Sequence, residues 1–394
     1  IGRYILHARP LFKKESEFVA TAERLLGATD GKRVRTLLKE VHCRPGAETV
    51  ETSLFGTLDI PQLLFSTETA RIETKFLNEK LWDSYILERV REAGDSFFDR
   101  LVDLVAPHIV GLDMVKRAVA LQLLSDRLHV LLVGDPGTGK TDILRSISEL
   151  APITSYGLGN GTTGVGLVVT MKGDEIKPGL LPMADGGICI LDELNLMKED
   201  SRAGLYNAME KGFITYDKGG KHEQLPARIR LLASANPTGG KLRGGSANAV
   251  RRQLPVDAPL LSRFHLVFAI NKPNAEEFER IAKSVVERKK TVVTPGDRDI
   301  IKRFCSLARG MNPTVSKMVQ EEVVLLASRV RDEEEDILIE ITPRTVHGIL
   351  DLARASARIV GRQEVTMLDV VRARDVFIAS LDFGGKKETE DWPE

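Results

Sequence analysis

The sequence predicts an α/β protein built on a parallel sheet and followed by an all-helical domain. Apolar runs of the kind that strands covered on both faces require occur at His129–Val133, Gly187–Leu191, Ile229–Ala233 and Arg263–Ile270. Helical patterns separate these runs, and strands that alternate with helices indicate a parallel sheet. From Asn274 onward only helical periodicity remains.

Composition places the chain among ordinary globular proteins. It has 394 residues, of which 42% are hydrophobic and 28% charged, with 56 basic and 56 acidic side chains. A nucleic-acid partner would therefore have to be met by a local basic patch or by an assembled ring. The sequence lacks a membrane-spanning apolar run and a signal-peptide pattern, so we expect a cytoplasmic protein, associated with the nucleoid in a prokaryote.

The cysteines indicate a reducing compartment. Cys43, Cys189 and Cys305 lie far apart and form no CxxC pair, which argues against a zinc site.

Residues 1–97 are predicted to form a small mixed or helical N-terminal domain. Helical patterns occur at Phe18–Leu26 and Phe76–Val90, with a break at Gly27–Gly31. A strongly helical pattern then covers Phe97–Leu124. The sheet-forming core is assigned to residues 98–272 and the helical domain to residues 273–394.

The helical domain is predicted to contain five helices, at Ala275–Arg288, Arg298–Arg309, Val315–Arg331, Thr342–Val360 and Met367–Ile378. The acidic run Asp332–Asp336 is typical of an exposed loop. The tail Gly384–Glu394 is predicted to be frayed.

Residues 134–141 form a complete phosphate-binding loop between the first strand and a helix. The pattern G-x-x-x-x-G-K-[ST] is satisfied by Gly134, Asp135, Pro136, Gly137, Thr138, Gly139, Lys140 and Thr141. The glycines let backbone N–H groups turn toward phosphates, and the helix N-terminus adds a positive dipole. Lys140 is predicted to reach the β- and γ-phosphates of ATP, and the Thr141 hydroxyl to bind Mg²⁺.

Two further strands end in polar groups suited to hydrolysis. The second apolar run ends in Asp192 and Glu193, which we predict to bind Mg²⁺ and to polarise the attacking water, respectively. Asn236 follows the third run and is predicted to hold the water or the γ-phosphate. Taken alone, the acidic pair could be a turn, and Asn236 with the proline after it could form another.

Two arginines lie apart from the phosphate loop. Arg263 precedes the fourth apolar run and is predicted to be an arginine finger for a neighbouring subunit's ATP, with a surface ion pair as the alternative. Arg344 lies in the first turn of a helix with Thr342 as N-cap and Pro343 at its first position. A cation there opposes the helix dipole, which hints at a functional role.

Together these segments resemble the minichromosome maintenance (MCM) family of AAA+ helicases over residues 97–380. The matching motifs are Gly134-Asp-Pro-Gly, Ala184-Asp-Gly-Gly-Ile-Cys189, Ala235-Asn-Pro, Leu260-Leu-Ser-Arg-Phe, Ile341-Thr-Pro-Arg344 and Ala106-Pro-His-Ile-Val-Gly111 with Val115-Lys-Arg. The resemblance implies an AAA+ αβα sandwich with a helical lid, ATP and Mg²⁺ as cofactors, Asn236 as sensor 1 and Arg344 as sensor 2.

The resemblance also assigns two inserted hairpins. Residues 165–180 resemble the helix-2 insert, with Lys172 in its turn, and residues 213–220 resemble the pre-sensor-1 hairpin. Lys218 falls on the family's DNA-contacting lysine, although a lysine at a hairpin tip is usually solubilising. In an assembled ring, such lysines would suit backbone contact with single-stranded DNA.

The chain departs from the family pattern at several positions. Gly139-Lys140-Thr141 replaces Ala-Lys-Ser, His265 replaces an aspartate, and Asn195-Leu-Met replaces Asp-Lys-Met. The region before the ATPase core is about a hundred residues and lacks the family's four-cysteine zinc site. We therefore expect an archaeal-type homologue with a shortened N-terminal domain, which assembles as a homo- or hetero-hexamer or remains a monomer.

The first hypothesis is an ATP-dependent helicase or translocase that acts on DNA in replication. A second is a remodelling ATPase of the magnesium-chelatase or MoxR type that acts on proteins, which Asn195-Leu-Met favours. A third is a paralogue that assembles weakly and does not unwind DNA. DNA-dependent stimulation of ATP hydrolysis distinguishes the first from the second.

Overall fold

The computed structural model describes residues 15–40, 44–65, 67–172, 175–218, 221–243, 247–287, 292–332 and 340–381. The chain divides into two compact units, Ile1–Arg100 with Val292–Leu307, and Leu101–Thr291 with Ala308–Glu394. None of the described helices combines the length and the apolar character that crossing a bilayer requires. The predicted acidic loop beyond Asp332 and the predicted tail lie outside the described residues.

The first unit combines helices with a β-hairpin. Its elements before residue 100 are α1 (Glu15–Leu26), α2 (Ala28–Glu40), β1 (Arg44–Thr52), β2 (Gly56–Leu64), α3 (Glu68–Ala93) and the start of α4 (Asp95–Asp103). β1 and β2 pair antiparallel from Arg44 opposite Leu64 to Thr52 opposite Gly56. The core includes Phe18, Val34 and Leu77, all at most 1% exposed.

Two details of this unit differ from the sequence predictions, and one agrees with them. The hairpin was not predicted, because its strands contain polar residues and prolines rather than an apolar run. The predicted break is confined to Gly27, whose φ is 81°, whereas Gly31 lies inside α2 and packs against Glu23. The two predicted helices lie within α1 and α3.

The strongly helical pattern over Phe97–Leu124 corresponds to two helices and not to one continuous helix. The chain instead forms α4 and α5 (Asp113–Leu124), with a non-helical segment between them. Ala106, Gly111 and Leu112 in that segment have φ values of 42°, 80° and 58°, which no right-handed helix contains.

The second unit contains a five-stranded parallel sheet, which confirms the predicted fold class. Its strands are β3 (Val130–Gly134), β4 (Thr154–Leu158), β7 (Ile188–Asp192), β10 (Arg230–Ala235) and β11 (Leu266–Ile270), in the order β11-β3-β10-β7-β4. The β4 strand was not predicted, because it is an edge strand of alternating burial without an apolar run. The fourth predicted run was too long, since the strand begins at Leu266.

Helices and hairpins connect these strands. They are α6 (Lys140–Leu150), α7 (Gly164–Val168), β5 (Val169–Lys172), β6 (Glu175–Pro178), α8 (Leu180–Met183), α9 (Ala203–Lys211), β8 (Phe213–Lys218), β9 (Lys221–Pro226), α10 (Ala247–Arg251) and α11 (Ala258–Leu261). The pairs β5–β6 and β8–β9 are antiparallel hairpins at the positions of the two predicted insertions.

The C-terminal part is helical, as predicted. Its helices are α12 (Ala275–Glu287), α13 (Pro295–Ala308), α14 (Lys317–Asp332), α15 (Pro343–Ile359) and α16 (Met367–Ala379). α13 clusters with the first unit up to Leu307, whereas α14, α15 and α16 belong to the second. α15 begins at Pro343 after the N-cap Thr342, as predicted.

Candidate nucleotide site

The phosphate loop leaves the carboxyl end of β3 and leads into α6. Gly137 and Gly139 have φ values of 81° and 84°, which glycine adopts readily and other residues rarely do. A Cβ atom on Gly134 would lie 2.2 Å from the carbonyl oxygen of Ile270, so glycine is required where β3 approaches β11. Asp135 N–H donates to the same carbonyl at 3.2 Å. These contacts fix the base of the loop.

Lys140 occupies the centre of the loop. Its Nζ donates to the carbonyl oxygens of Gly134 and Asp135 at 2.6 and 2.8 Å. Burial lowers the pKa of the amine, and the carboxylates of Asp135 and Asp192 oppose that shift. The loop therefore holds a buried amine beside Asp192. Thr141 follows Lys140 in the first turn of α6.

Asp192 ends β7 and is held by three groups. Its Oδ1 accepts from the Ser234 hydroxyl and from Glu193 N–H, the latter at 3.2 Å. Its Oδ2 accepts from the Tyr156 hydroxyl at 2.9 Å. Burial and the adjacent carboxylate raise the pKa of Tyr156 to about 12, so the phenol remains a donor at neutral pH. The carboxylate orientation is thus fixed by side chains from β4 and β10.

Glu193 adopts a left-handed backbone conformation, with φ 56° and ψ 46°. Such a conformation is uncommon for residues other than glycine and persists where surrounding contacts impose it. Glu193 N–H donates to Ser234 Oγ at 3.1 Å, and its carbonyl accepts from Leu196 N–H at 2.9 Å. The chain then forms a 3₁₀ turn over Leu194–Leu196.

Asn236 follows β10 at the same edge of the sheet. Its backbone N–H donates to Asn195 Oδ1 at 2.9 Å. Since β3, β7 and β10 are parallel neighbours, their carboxyl ends bring Lys140, Asp192 and Asn236 to one edge. The residues predicted for nucleotide and water binding therefore meet at one place.

An open cavity of about 840 Å³ borders the phosphate loop. Gly137 and Gly139 line one side, and apolar side chains on α12, including Phe278 and Ile281, line another. Its size lies within the range of small-molecule sites.

Arg263 and Arg344 lie together in a second cleft of about 460 Å³. Arg263 donates to Glu210 Oε2 at 2.5 Å, and its guanidinium stacks 5.1 Å from the Tyr206 ring. The Arg344 guanidinium donates to the carbonyl of Ser262 at 2.9 Å. A cleft lined by both arginines is suited to bind an anion.

The second cleft lies at the amino ends of the strands, whereas the phosphate loop lies at their carboxyl ends, on the opposite edge of the sheet. His265 N–H and Leu266 N–H both donate to the His129 carbonyl, so Arg263 lies where β3 begins. The loop follows the other end of β3, and a five-residue strand separates the two edges by about 13 Å. Neither arginine lines the cavity beside the phosphate loop.

The two predicted DNA-contacting lysines lie in the inserted hairpins. Lys172 ends β5 opposite Glu175, and Lys218 ends β8 opposite Lys221. These backbone positions are at the ends of the paired strands.

Sequence reasoning missed several residues of the site. Tyr156 and Ser234, which hold Asp192, were not singled out, and Asn195 was noted only as a departure from the family pattern. Ser234 could have been found, because it lies two residues before Asn236 and so faces the same side of β10. The Tyr156 strand carried no comparable signal.

Comparisons with known proteins identify relatives for most of the chain. The family model of the MCM P-loop domain matches residues 86–289, and that of the MCM AAA-lid domain matches residues 299–381. The DNA replication licensing factor mcm7 of Schizosaccharomyces pombe is 33% identical over 312 residues, 71% of this chain and 41% of that protein. The minichromosome maintenance protein MCM of Saccharolobus solfataricus is 28% identical over 356 residues, 84% of this chain and 52% of its own length.

A third relative is the probable DNA helicase MCM8 of Arabidopsis thaliana, 28% identical over 366 residues, which cover 75% of this chain and 45% of that protein. The chain thus spans about half the length of the curated relatives it matches.

Proposed function

This chain belongs to the minichromosome maintenance family, and from that membership we propose that it is an AAA+ ATPase that moves along single-stranded DNA in replication. The observation that carries the proposal is the meeting of Lys140, Asp192, Glu193 and Asn236 at one sheet edge, with two arginines at the other. We place the protein in the cytoplasm, associated with the nucleoid in a prokaryote. We divide the chain into an N-terminal domain (1–97), an ATPase core (98–272) and a lid (273–394).

We assign ATP to the phosphate loop and the adjacent cavity. Lys140, now bonded to loop carbonyls, would turn its amine to the β- and γ-phosphates, and residues Gly134–Thr141 would supply backbone N–H groups. The positive φ of Gly137 and Gly139 supports this assignment, because that conformation lets the backbone curl around an anion.

The residues present fit a magnesium ion. An ionised carboxylate offers about four lone-pair positions. Three of those on Asp192 are used by Ser234, Glu193 N–H and Tyr156, so one is left for a cation. The Thr141 hydroxyl would be the second protein ligand, and oxygen ligands are those that Mg²⁺ prefers. When bound, the ion neutralises phosphate charge that develops during transfer.

Glu193 and Asn236 are proposed to act on the attacking water. Glu193 would accept a hydrogen bond from the water and raise its nucleophilicity, and the Asn236 amide would hold the water or the γ-phosphate. The left-handed backbone of Glu193 supports this role, because backbone strain is concentrated at functional sites.

Arg263 and Arg344 are proposed to serve the ATP of a neighbouring subunit. The roughly 13 Å between the two edges of the sheet is longer than an arginine side chain, so neither residue suits its own phosphate loop. In a ring, one subunit's second cleft would face the next subunit's phosphates. The Arg263 Nε atom is buried and has no hydrogen-bond partner among the described residues, so part of the hydrogen-bonding capacity of this guanidinium is unused within the subunit.

We propose that the hairpins bring Lys218 and Lys172 to DNA within the ring. Backbone phosphates of one strand would be their ligands, since lysine acts as a point charge without base specificity. Assembly as a homo- or hetero-hexamer is required, because one lysine per subunit becomes a basic ring only when subunits associate.

The test is ATP hydrolysis at rising protein concentration, with and without single-stranded DNA. We expect the rate per subunit to rise with concentration and with DNA, and Lys140→Ala to supply the blank. Lys218→Ala should remove the stimulation by DNA, whereas Lys317→Ala, at a lysine 88% exposed on α14, should retain it.

Other outcomes identify the alternatives. ATP hydrolysis that depends on protein concentration, does not change with DNA and rises with an added protein substrate would favour the remodelling ATPase. ATP hydrolysis rates equal to that of Lys140→Ala under all these conditions would contradict the DNA motor and favour the weakly assembling paralogue.

A further inference from the structure

Two side chains, Asn195 and Ser234, connect the ends of β7 and β10 in a reciprocal way. Asn195, two residues beyond Glu193, accepts the backbone N–H of Asn236 at 2.9 Å. Ser234, two residues before Asn236, accepts the backbone N–H of Glu193 at 3.1 Å. Each of the two segments thus supplies a side chain that fixes the backbone of the other.

These hydrogen bonds hold the backbone N–H groups of Glu193 and Asn236, which lie beyond the inter-strand pairing of the sheet. Inter-strand pairing between β7 and β10 ends at Leu191 opposite Ala233, before either catalytic residue. Glu193 leaves the strand with a positive φ, and Asn236 precedes Pro237, whose ring restricts the residue before it to extended conformations. Beyond the ladder, the relative position of Glu193 and Asn236 therefore depends on side-chain contacts.

The 3₁₀ turn over Leu194–Leu196 positions the Asn195 side chain next to the Asn236 backbone. The turn is closed by the Leu196 N–H bond to the Glu193 carbonyl and by Met197 N–H to the Leu194 carbonyl at 3.1 Å. Leu194, within this turn, is fully buried. The Asn195 side chain therefore projects from a short, anchored segment whose other end is Glu193 itself.

We infer that Asn195 is a positioning residue that sets sensor Asn236 relative to Glu193. This inference rests on the proposed ATPase function and extends it to a residue that holds the Asn236 backbone. A displacement of about 1 Å in a catalytic group can cost on the order of 100-fold in rate. Loss of the Asn195 acceptor frees the Asn236 backbone and is expected to act on turnover rather than on nucleotide binding.

The role of the Asn195 acceptor oxygen can be tested separately from the effect of shortening the side chain. Aspartate at this position keeps an acceptor oxygen at the same reach, whereas alanine removes it. Asn195→Ala is expected to lower kcat about 10- to 100-fold while the Kd for ATP changes by less than about threefold. Asn195→Asp is expected to restore kcat to within about threefold of the wild type.

A double-mutant cycle distinguishes positioning from a merely structural role. If Asn195 acts through Asn236, then Asn195→Ala in the Asn236→Ala background should lower kcat by less than about twofold. If Asn195 only stabilises the fold, the two losses should multiply and the Tm of Asn195→Ala should fall in parallel. Asn248→Ala, at an exposed asparagine on α10, is the matched control and should retain the wild-type rate.

The outcomes separate this inference from the function on which it rests. Multiplicative losses, or an alanine variant as active as the wild type, would overturn the inference and leave the ATPase intact. A wild-type rate no higher than that of Lys140→Ala would overturn the proposed function, and the inference with it.

Discussion

The Arg344 guanidinium lies 2.9 Å from the backbone carbonyl oxygen of Ser262, the residue before Arg263. One hydrogen bond thus joins the first turn of α15 to the segment that presents the predicted arginine finger. Because the acceptor is a backbone carbonyl, the contact fixes the main chain at Ser262, while the Arg263 side chain is held separately by Glu210 and Tyr206. The two arginines are therefore expected to act together.

This arrangement predicts complementation between two inactive variants. Lys140→Ala removes the amine proposed to bind phosphate, and Arg263→Ala removes the proposed finger, so each variant alone should be inactive. If the finger acts on a neighbour, a 1:1 mixture restores interfaces that pair an intact phosphate loop with an intact arginine. Random assembly would make about a quarter of the interfaces complete, so we expect roughly that fraction of the wild-type rate.

The control for complementation is a mixture of Lys140→Ala with Glu193→Gln. Both substitutions lie at the same sheet edge, so no interface in that mixture is complete and no rate should return. Failure of the Arg263→Ala mixture to exceed this control would show that the finger does not act between subunits.

Glu193→Gln should separate binding from hydrolysis. Glutamine keeps the size of the side chain and the left-handed backbone but cannot accept a proton. We expect kcat to fall about 10²- to 10⁴-fold and the Kd for ATP to change little. Rapid-quench hydrolysis and fluorescent-nucleotide titration measure the two quantities. A parallel loss of affinity would instead indicate that the carboxylate holds the nucleotide.

The sequence was most informative where a motif directly follows a buried strand. Lys140, Asp192 and Asn236 were singled out because each follows an apolar run that indicated a strand, and the strand register brings the three residues to one edge. The strand that carries Tyr156 was missed because an edge strand needs no apolar run. The roles of the site residues, including Lys172 and Lys218, stay predictions.

Two other features, the backbone conformation of Glu193 and the hairpin β1–β2, could not be predicted from the sequence. Glu193 combines a positive φ with a hydrogen bond from its backbone N–H to Ser234, which lies on another strand. No local preference of glutamate indicates that conformation. The hairpin β1–β2 was missed for a related reason, since its polar strands carry no apolar run to indicate a buried face.

Gly159→Ala is expected to disturb the 3₁₀ turn over Leu194–Leu196 that follows Glu193. A Cβ atom there would lie 2.0 Å from the Glu193 carbonyl oxygen and 3.2 Å from Met197 N, so the turn that follows Glu193 must shift. We expect a loss of about 1–3 kcal/mol in the free energy of unfolding and a lower kcat. Gly161→Ala is the matched control in the same loop, because its Cβ would meet only Leu158 O, at 3.9 Å. Equal effects of the two substitutions would contradict this explanation.

A buried histidine pair predicts acid sensitivity of the second unit. His129 Nδ1 accepts from Leu231 N–H at 3.0 Å, and His265 Nδ1 accepts from His129 N–H at 3.0 Å. Protonation would turn either acceptor into a donor and break its bond. Burial lowers the pKa of His129 well below its usual value, and burial, Arg344 and His347 lower the pKa of His265 to about 4.

The sign of the effect follows from proton linkage. Between about pH 6.5 and 4 the unfolded state binds a proton at His265 that the folded state does not, so the free energy of unfolding falls as the pH falls. His265 alone contributes a loss of up to about 3 kcal/mol across that interval. Chemical denaturation at pH 7, 6, 5 and 4 measures this loss.

His265→Asn should reduce this pH dependence, because the asparagine Oδ1 atom can accept the His129 N–H bond without titrating. His108→Asn, at a histidine whose side chain is 63% exposed, keeps the buried pair and should retain the wild-type dependence. Gly348 packs against His265, so the substitution also changes packing. The free energy of unfolding of His265→Asn at pH 7 measures that packing cost separately from the pH dependence. A wild-type slope in His265→Asn would show that other groups, and not this pair, set the acid limit of the fold.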